Sequence, residues 1–70
     1  MLGQMEYDFY IMVPKGMKPP ESIPDAEVVN KEHVMGDWWK ITLRLDKEKF
    51  DAVVDWLRSE GYRLAKSANY

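Results

Sequence analysis

Two stretches of alternating apolar and polar residues constrain the fold of this chain more than any other feature of its sequence. They lie at residues 5–13 and 38–45. A period of two residues is typical of strands that bury one face, and both stretches are rich in aromatic and branched side chains. We therefore predict two half-buried strands. Their apolar positions are Met5, Tyr7, Phe9, Ile11 and Val13 in the first stretch, and Trp39, Ile41, Leu43 and Leu45 in the second.

Antiparallel pairing of these two strands matches apolar with apolar residues on one face and opposite charges on the other face. With Phe9 opposite Ile41, every apolar position of one strand meets an apolar position of the other. The same register places Glu6 opposite Arg44 on the reverse face. Such cross-strand pairs contribute about 0.2–1 kcal/mol each, so the two strands are predicted to be neighbours. A shift of two residues would keep the same faces, which makes the register a weaker prediction than the pairing.

The segment between the two strands predicts a loop, a further strand and a turn. Residues 14–25 contain four Pro, which fix φ and remove backbone donors, so an extended loop is expected there. Residues 26–35 are predicted to form a strand that turns at residues 36–37. A strict two-residue turn would place Asn30 and Glu32 on the apolar face. We therefore expect a three-residue loop or a β-bulge.

A helix is predicted after the second alternating stretch. The Asp46 carboxylate is expected to cap its first turn, and Gly61 is expected to end it in the left-handed conformation. Residues 62–68 are then predicted to form the last strand. Apolar residues at helical spacing define the buried side of the helix. They are Phe50, Val53, Val54 and Leu57, with Ala52 and Trp56 beside them.

The order of these elements predicts a single α+β domain over residues 1–70, with residues 1–4 disordered. We expect a four-stranded, mainly antiparallel sheet in β-β-β-α-β order with one helix on one face. This arrangement resembles a ferredoxin-like sheet whose first helix is replaced by the loop at residues 14–25. Trp56 is expected at the core boundary. The predicted core is Tyr7, Phe9, Ile11, Val13, Trp39, Ile41, Leu43, Phe50, Val53, Val54, Leu57 and Leu64.

Composition and motifs argue against several kinds of site. The chain has no Cys, and His33 is its single His, so a disulfide is excluded and a structural zinc site lacks ligands. Asp51 and Asp55 are spaced for ordinary solvated ion pairs on a helix. With no phosphate-binding glycine loop and no isolated acid pair, we expect no enzyme, no cofactor and no metal. Without a membrane span or an export signal, a cytoplasmic protein is expected.

The sheet face turned away from the helix is the predicted functional surface. It would carry residue types that are enriched at protein interfaces. A 70-residue chain without disulfides has a small core, so exposed aromatic and Met side chains favour docking. We predict a non-enzymatic protein-interaction or regulatory domain that self-associates as a homo-oligomer through its sheet face or edges. The predicted surface residues are Tyr10, Met12, Trp38, Lys40 and Arg44.

Two other functions stay open at this point. An open sheet face with aromatics and with Lys40 and Arg44 is how RRM modules hold single-stranded RNA, although the net charge of −2 disfavours polyanions. Ferredoxin-like regulatory domains also bind metabolites, an argument from fold analogy alone. The loop at residues 14–25 either contacts a partner through Met17 and Ile23, or is a connector held down by those two side chains.

Overall fold

The computed structural model describes residues 3–65 and shows a small α+β fold. Four strands form one sheet in the order β2-β3-β1-β4, and each strand is antiparallel to its neighbours. The predicted fold class is confirmed, and the resemblance to a ferredoxin-like sheet stays a prediction. The elements are β1 (Gln4–Met12), β2 (Glu27–Met35), β3 (Trp38–Asp46), a 3-10 turn (Lys47–Lys49), α1 (Phe50–Ser59) and β4 (Arg63–Leu64).

The pairing of β1 with β3 has the predicted register, with Phe9 opposite Ile41. The pairing extends to Gln4, which lies opposite Asp46. The Gly3 carbonyl also accepts a hydrogen bond from the Lys47 N–H at 3.0 Å. Residues 3 and 4, predicted to be disordered, therefore belong to the end of the sheet, because backbone pairing fixes them. Residues 1 and 2 lie outside the described residues.

The β2–β3 hairpin contains two β-bulges. Its turn has two residues, with Met35 opposite Trp38, and the register shifts between His33 and Met35 and again between Val28 and Asn30. The expected bulge is thus confirmed. Its effect is to place Glu32 opposite Lys40, on the polar side of the sheet, instead of opposite an apolar residue of β3.

The predicted helix cap at Asp46 is wrong. Asp46 is the last residue of β3, and its side chain makes no capping hydrogen bond. A 3-10 turn follows it, and α1 begins only at Phe50. Strand alternation explains the difference, because Leu45 faces the helix side of the sheet and Asp46 therefore faces away from it.

The C-terminal end of α1 is a Schellman motif, in agreement with the prediction for Gly61. The Tyr62 N–H donates to the Leu57 carbonyl, and the Gly61 N–H donates to the Arg58 carbonyl, both at 3.1 Å. Gly61 has a φ of +102°. The motif turns the chain so that Tyr62 packs into the core next to Leu57.

Replacing Gly61 with Ala is expected to lower the free energy of unfolding by about 1–2 kcal/mol, since a side chain is strained at this φ. A β-carbon there would make an ordinary van der Waals contact with the Met17 thioether at 3.8 Å, so the expected cost comes from the backbone. Urea unfolding followed by far-UV circular dichroism measures the change. Gly36→Ala is a useful comparison, because Gly36 also has positive φ but has open space around it. An unchanged midpoint for Gly61→Ala would contradict the strain argument.

One hydrophobic core lies between the sheet, α1 and the loop that joins β1 to β2. Seven of the predicted core residues are buried, namely Phe9, Ile11, Val13, Ile41, Leu43, Val53 and Leu57. Ile23, Leu45 and Tyr62 are buried as well and were not in the predicted core. The remaining predicted members, together with Trp56 at the boundary, are partly buried against this cluster: Tyr7, Trp39, Phe50, Val54 and Leu64.

The loop between β1 and β2 is fastened to the core at two places. Ile23 is buried in the core cluster, and the Tyr62 hydroxyl donates to the Lys18 carbonyl at 2.8 Å. The loop therefore shares the helix side of the sheet with α1. Next to this anchor, β4 is shorter than the predicted strand at residues 62–68, although the Ala65 N–H still donates to β1 at 2.9 Å. Residues 66–68 lie outside the described residues.

Candidate interaction surface

The predicted surface residues share one face of the sheet. We call this the open face: the side turned away from α1, formed by alternate residues of each strand. β1 contributes Tyr10 and Met12, and β3 contributes Trp38, Lys40 and Arg44. Strand alternation places all five together, because their neighbours in the sequence, such as Phe9 and Ile41, are buried on the other side.

One half of the open face is a network of paired charges. The Arg44 guanidinium lies between two carboxylates, 2.8 Å from Glu6 Oε2 on β1 and 3.0 Å from Glu27 Oε1 on β2. The hydrogen bond to Glu6, and then the charge of Glu27, raise the pKa of Arg44 above its ordinary value. Arg44 thus links three adjacent strands, and both of its terminal nitrogens donate to carboxylates.

The other base of this face is also paired. The Lys40 ammonium lies 3.5 Å from Glu32 Oε1, and Thr42 Oγ1 donates to Asp8 Oδ1 at 2.7 Å. Acids outnumber bases in this charged half, which makes it a poor surface for phosphate groups. We define the charged half by Glu6, Asp8, Glu27, Glu32, Lys40, Thr42 and Arg44.

The other half of the open face is apolar, and we call it the apolar end: Met12, Met35 and Trp38. Trp38 lies opposite Met12 on one side and Met35 on the other, so the three side chains form a row across β1, β3 and β2. Met35 is 66% exposed, and Trp38 and Met12 are half-buried. Arg63 of β4 lies opposite Met12 and continues the row. Trp, Met and Arg are enriched at protein interfaces.

The predicted surface lacked Met35 and Arg63. Met35 lies opposite Trp38 because the turn at residues 36–37 has two residues, and the bulge between His33 and Met35 shifts only the residues before it. The predicted turn was therefore sufficient to place Met35 on the open face. The position of Arg63 depends on the pairing of β4 with the end of β1, which no local pattern in the sequence reports.

The β2 edge of the sheet is exposed but built to resist strand addition. Val29 and Val34 are 40% and 49% exposed, so this edge carries apolar surface. Both residues lie at the two bulges, which interrupt the regular backbone pattern that a new strand would need. Lys31 lies on the helix side of the sheet, opposite Ile41, and an inward-facing Lys is a common device against edge pairing. This edge is therefore a poor template for an added strand.

The two loop residues proposed as contacts have different environments. Ile23 is 4% exposed, which is the position expected if it holds the loop down. Met17 is 40% exposed and lies beside Gly61. The loop was expected either to contact a partner or to be a connector held down by these two side chains. The burial of Ile23 agrees with the second role for that residue, whereas Met17 keeps a surface that a partner can reach.

His33 is part of the hairpin and not of a cluster of ligands. Its Nε2–H donates to the Gly36 carbonyl at 2.7 Å, and its ring lies 5.1 Å from that of Trp39. Among residues 3–65, no three His or acidic side chains are grouped so that they could hold a metal ion. In the same part of the chain, α1 is too short and too polar to cross a bilayer.

No protein family, curated protein or solved structure matches this chain. Functional inference therefore depends on the chemistry of the surface itself. On the open face, the charged half is internally paired, while the apolar end presents Met35 to solvent.

Proposed function

We propose that this protein is a non-enzymatic protein-interaction domain that self-associates through the apolar end of its open face. The observation that carries the proposal is the row formed by Met12, Trp38 and Met35, placed beside charges that already have partners. Burying this row removes apolar surface from water, and no ion pair of the charged half has to be broken. A second copy supplies an identical row, which makes self-docking the simplest arrangement.

The dimensions of the open face indicate a weak and reversible complex. The three strands of nine residues span roughly 30 by 14 Å, which is about 400 Å², and the two residues of β4 add little to this area. A stable interface usually buries about 800 Å² on each partner. The chain exposes 4912 Å² in total. Even the whole open face therefore lies below the usual size, and we expect association only at high protein concentration.

Binding of single-stranded nucleic acid is the weaker alternative. It requires Lys40 and Arg44 to contact phosphates, but Glu32 neutralises Lys40, and Glu6 and Glu27 neutralise Arg44. Breaking these pairs would leave the four acids of the charged half facing the polyanion. The charge arrangement thus supports a protein partner over a nucleic acid.

Light scattering after gel filtration tests the proposal. Wild-type protein at several hundred micromolar is expected to rise above the monomer mass of 8.3 kDa towards twice that value. Met35→Glu places a charge in the apolar end without disturbing the core and is expected to hold the mass at that of the monomer.

Met5→Glu is the matched control, because it adds the same charge at another exposed Met that lies on the helix side of the sheet, outside the open face. It should associate like the wild type. A wild-type protein that stays strictly monomeric at these concentrations would refute self-association. A dimer that survives Met35→Glu would place the interface elsewhere on the molecule.

A further inference from the structure

Two arginines share a surface depression at the end of α1. Arg58, in the last turn of the helix, and Arg63, the first residue of β4, line a depression of about 380 Å³. The Schellman turn joins these residues, and its backbone forms the wall between them. The other residues that line the depression are Gly61, Tyr62 and Leu64.

The first half of the β1–β2 loop brings two further cations to this part of the molecule. The backbone of Lys18 is held near the depression by the 2.8 Å hydrogen bond that the Tyr62 hydroxyl donates to the Lys18 carbonyl. Met17 lies against Gly61. Lys15 follows the end of β1, where Met12 pairs with Arg63. We call Lys15, Lys18, Arg58 and Arg63 the basic corner.

The basic corner adjoins the open face at Arg63 and differs from the charged half of that face in the state of its charges. Within residues 3–65, the ion pairs use Lys40 and Arg44, and none of the four corner cations forms one. Glu60 is the acid nearest to the corner in sequence, and it is exposed and does not line the depression. Part of the Arg58 charge compensates the negative end of the α1 dipole. Asp55, three residues before Arg58, and Asp37, whose carbonyl accepts from the Val13 N–H near Lys15, are further acids in this region. None of these acids lines the depression, which contains the two arginines.

We infer that the basic corner binds a short acidic segment of a partner protein, with Arg58 and Arg63 contacting its carboxylates. Arginine guanidinium groups pair with carboxylates through two parallel hydrogen bonds, and such charge-assisted bonds are strong. The two lysines of the loop add positive potential at the margin of the site. This inference goes beyond self-association and does not depend on it.

The small extent of the corner favours a short acidic segment over a long polyanion. A nucleic acid gains affinity by placing many phosphates on a continuous basic surface. Here the neighbouring open face presents Glu6, Asp8 and Glu27, so a long polyanion leaving the corner along that face meets acids. A few carboxylates in a depression of about 380 Å³ avoid them.

Titration of ¹⁵N-labelled protein with poly-L-glutamate at low salt tests the site. The amide signals of residues 58–64 and 15–18 are expected to shift, and the shifts should weaken as salt screens the charges. Arg58→Gln with Arg63→Gln should raise the dissociation constant about tenfold or more, since two charge-assisted contacts are lost. Lys47→Gln with Lys49→Gln is the matched control at the opposite end of α1 and should bind like the wild type.

Three outcomes would overturn the inference. They are no shift at the basic corner, equal weakening by the two double variants, or tighter binding of an oligothymidylate at the same amides, which would indicate a nucleic-acid site. Met35→Glu should still bind poly-L-glutamate. Loss of self-association with retained binding, or the reverse, therefore separates this inference from the proposed function.

Discussion

Replacing Phe9 with Ala is expected to unfold the domain. Phe9 is 0% exposed and lies in β1, with β3 on one side. Its ring stacks on Phe50 at 5.3 Å and meets Tyr7 edge-on at 6.4 Å, which ties the sheet to the start of α1. Losing a buried Phe costs about 3–5 kcal/mol. A core of this size supplies about the same amount in total.

Far-UV circular dichroism and urea unfolding measure this effect. The variant should show either no cooperative transition or a midpoint at very low urea concentration. Val34→Ala is the control, because Val34 is 49% exposed at a bulge and its truncation should change stability by less than about 0.5 kcal/mol. A Phe9→Ala variant with the wild-type midpoint would contradict the central position of β1.

Replacing Ile23 with Ala is expected to give the second largest loss of stability, about 2–5 kcal/mol. Ile23 comes from the Pro-rich loop, yet it is 4% exposed and belongs to the same cluster as Val53 and Leu57. Its truncation leaves a cavity on the helix side of the sheet. The loop is thus a structural part of the core.

Urea unfolding and limited proteolysis report this effect together. Ile23→Ala should lower the midpoint and make residues 14–25 more susceptible to cleavage, because the loop loses its anchor. Met17→Ala removes a partly exposed side chain from the same loop and should change the stability by less than about 1 kcal/mol. Equal midpoints for the two variants would show that the loop is only a connector.

The sequence was sufficient to predict the pairing of β1 with β3 at the centre of the sheet, because the residues on both faces of these strands limit the possible registers. Only a register with Phe9 opposite Ile41, or one two residues away, matches apolar residues on one face and opposite charges on the other. The same alternation of side chains along each strand placed Tyr10, Met12 and Trp38 on the open face. Strand alternation therefore carries most of the information about both the core and the candidate surface.

The other features of the core and of the open face depended on tertiary contacts that produce no periodic pattern in the sequence. Ile23 lies among prolines, and the burial of Tyr62 follows from the turn at Gly61. The pairing of Lys40 with Glu32 depends on a register that the bulges in β2 shift, so the sequence did not indicate this ion pair. Asp46 resembled a helix cap, but strand pairing with Gln4 determined its position.

For the proposed self-association, the arrangement of the layers limits the number of molecules that one complex can hold. Each protomer has one uncovered sheet face, since α1 and the anchored loop occupy the other, and its bulged β2 edge does not template another strand. Two protomers that meet face to face use up both available surfaces. Through these surfaces the proposed assembly stops at two molecules, and raising the concentration increases the number of pairs but not their length.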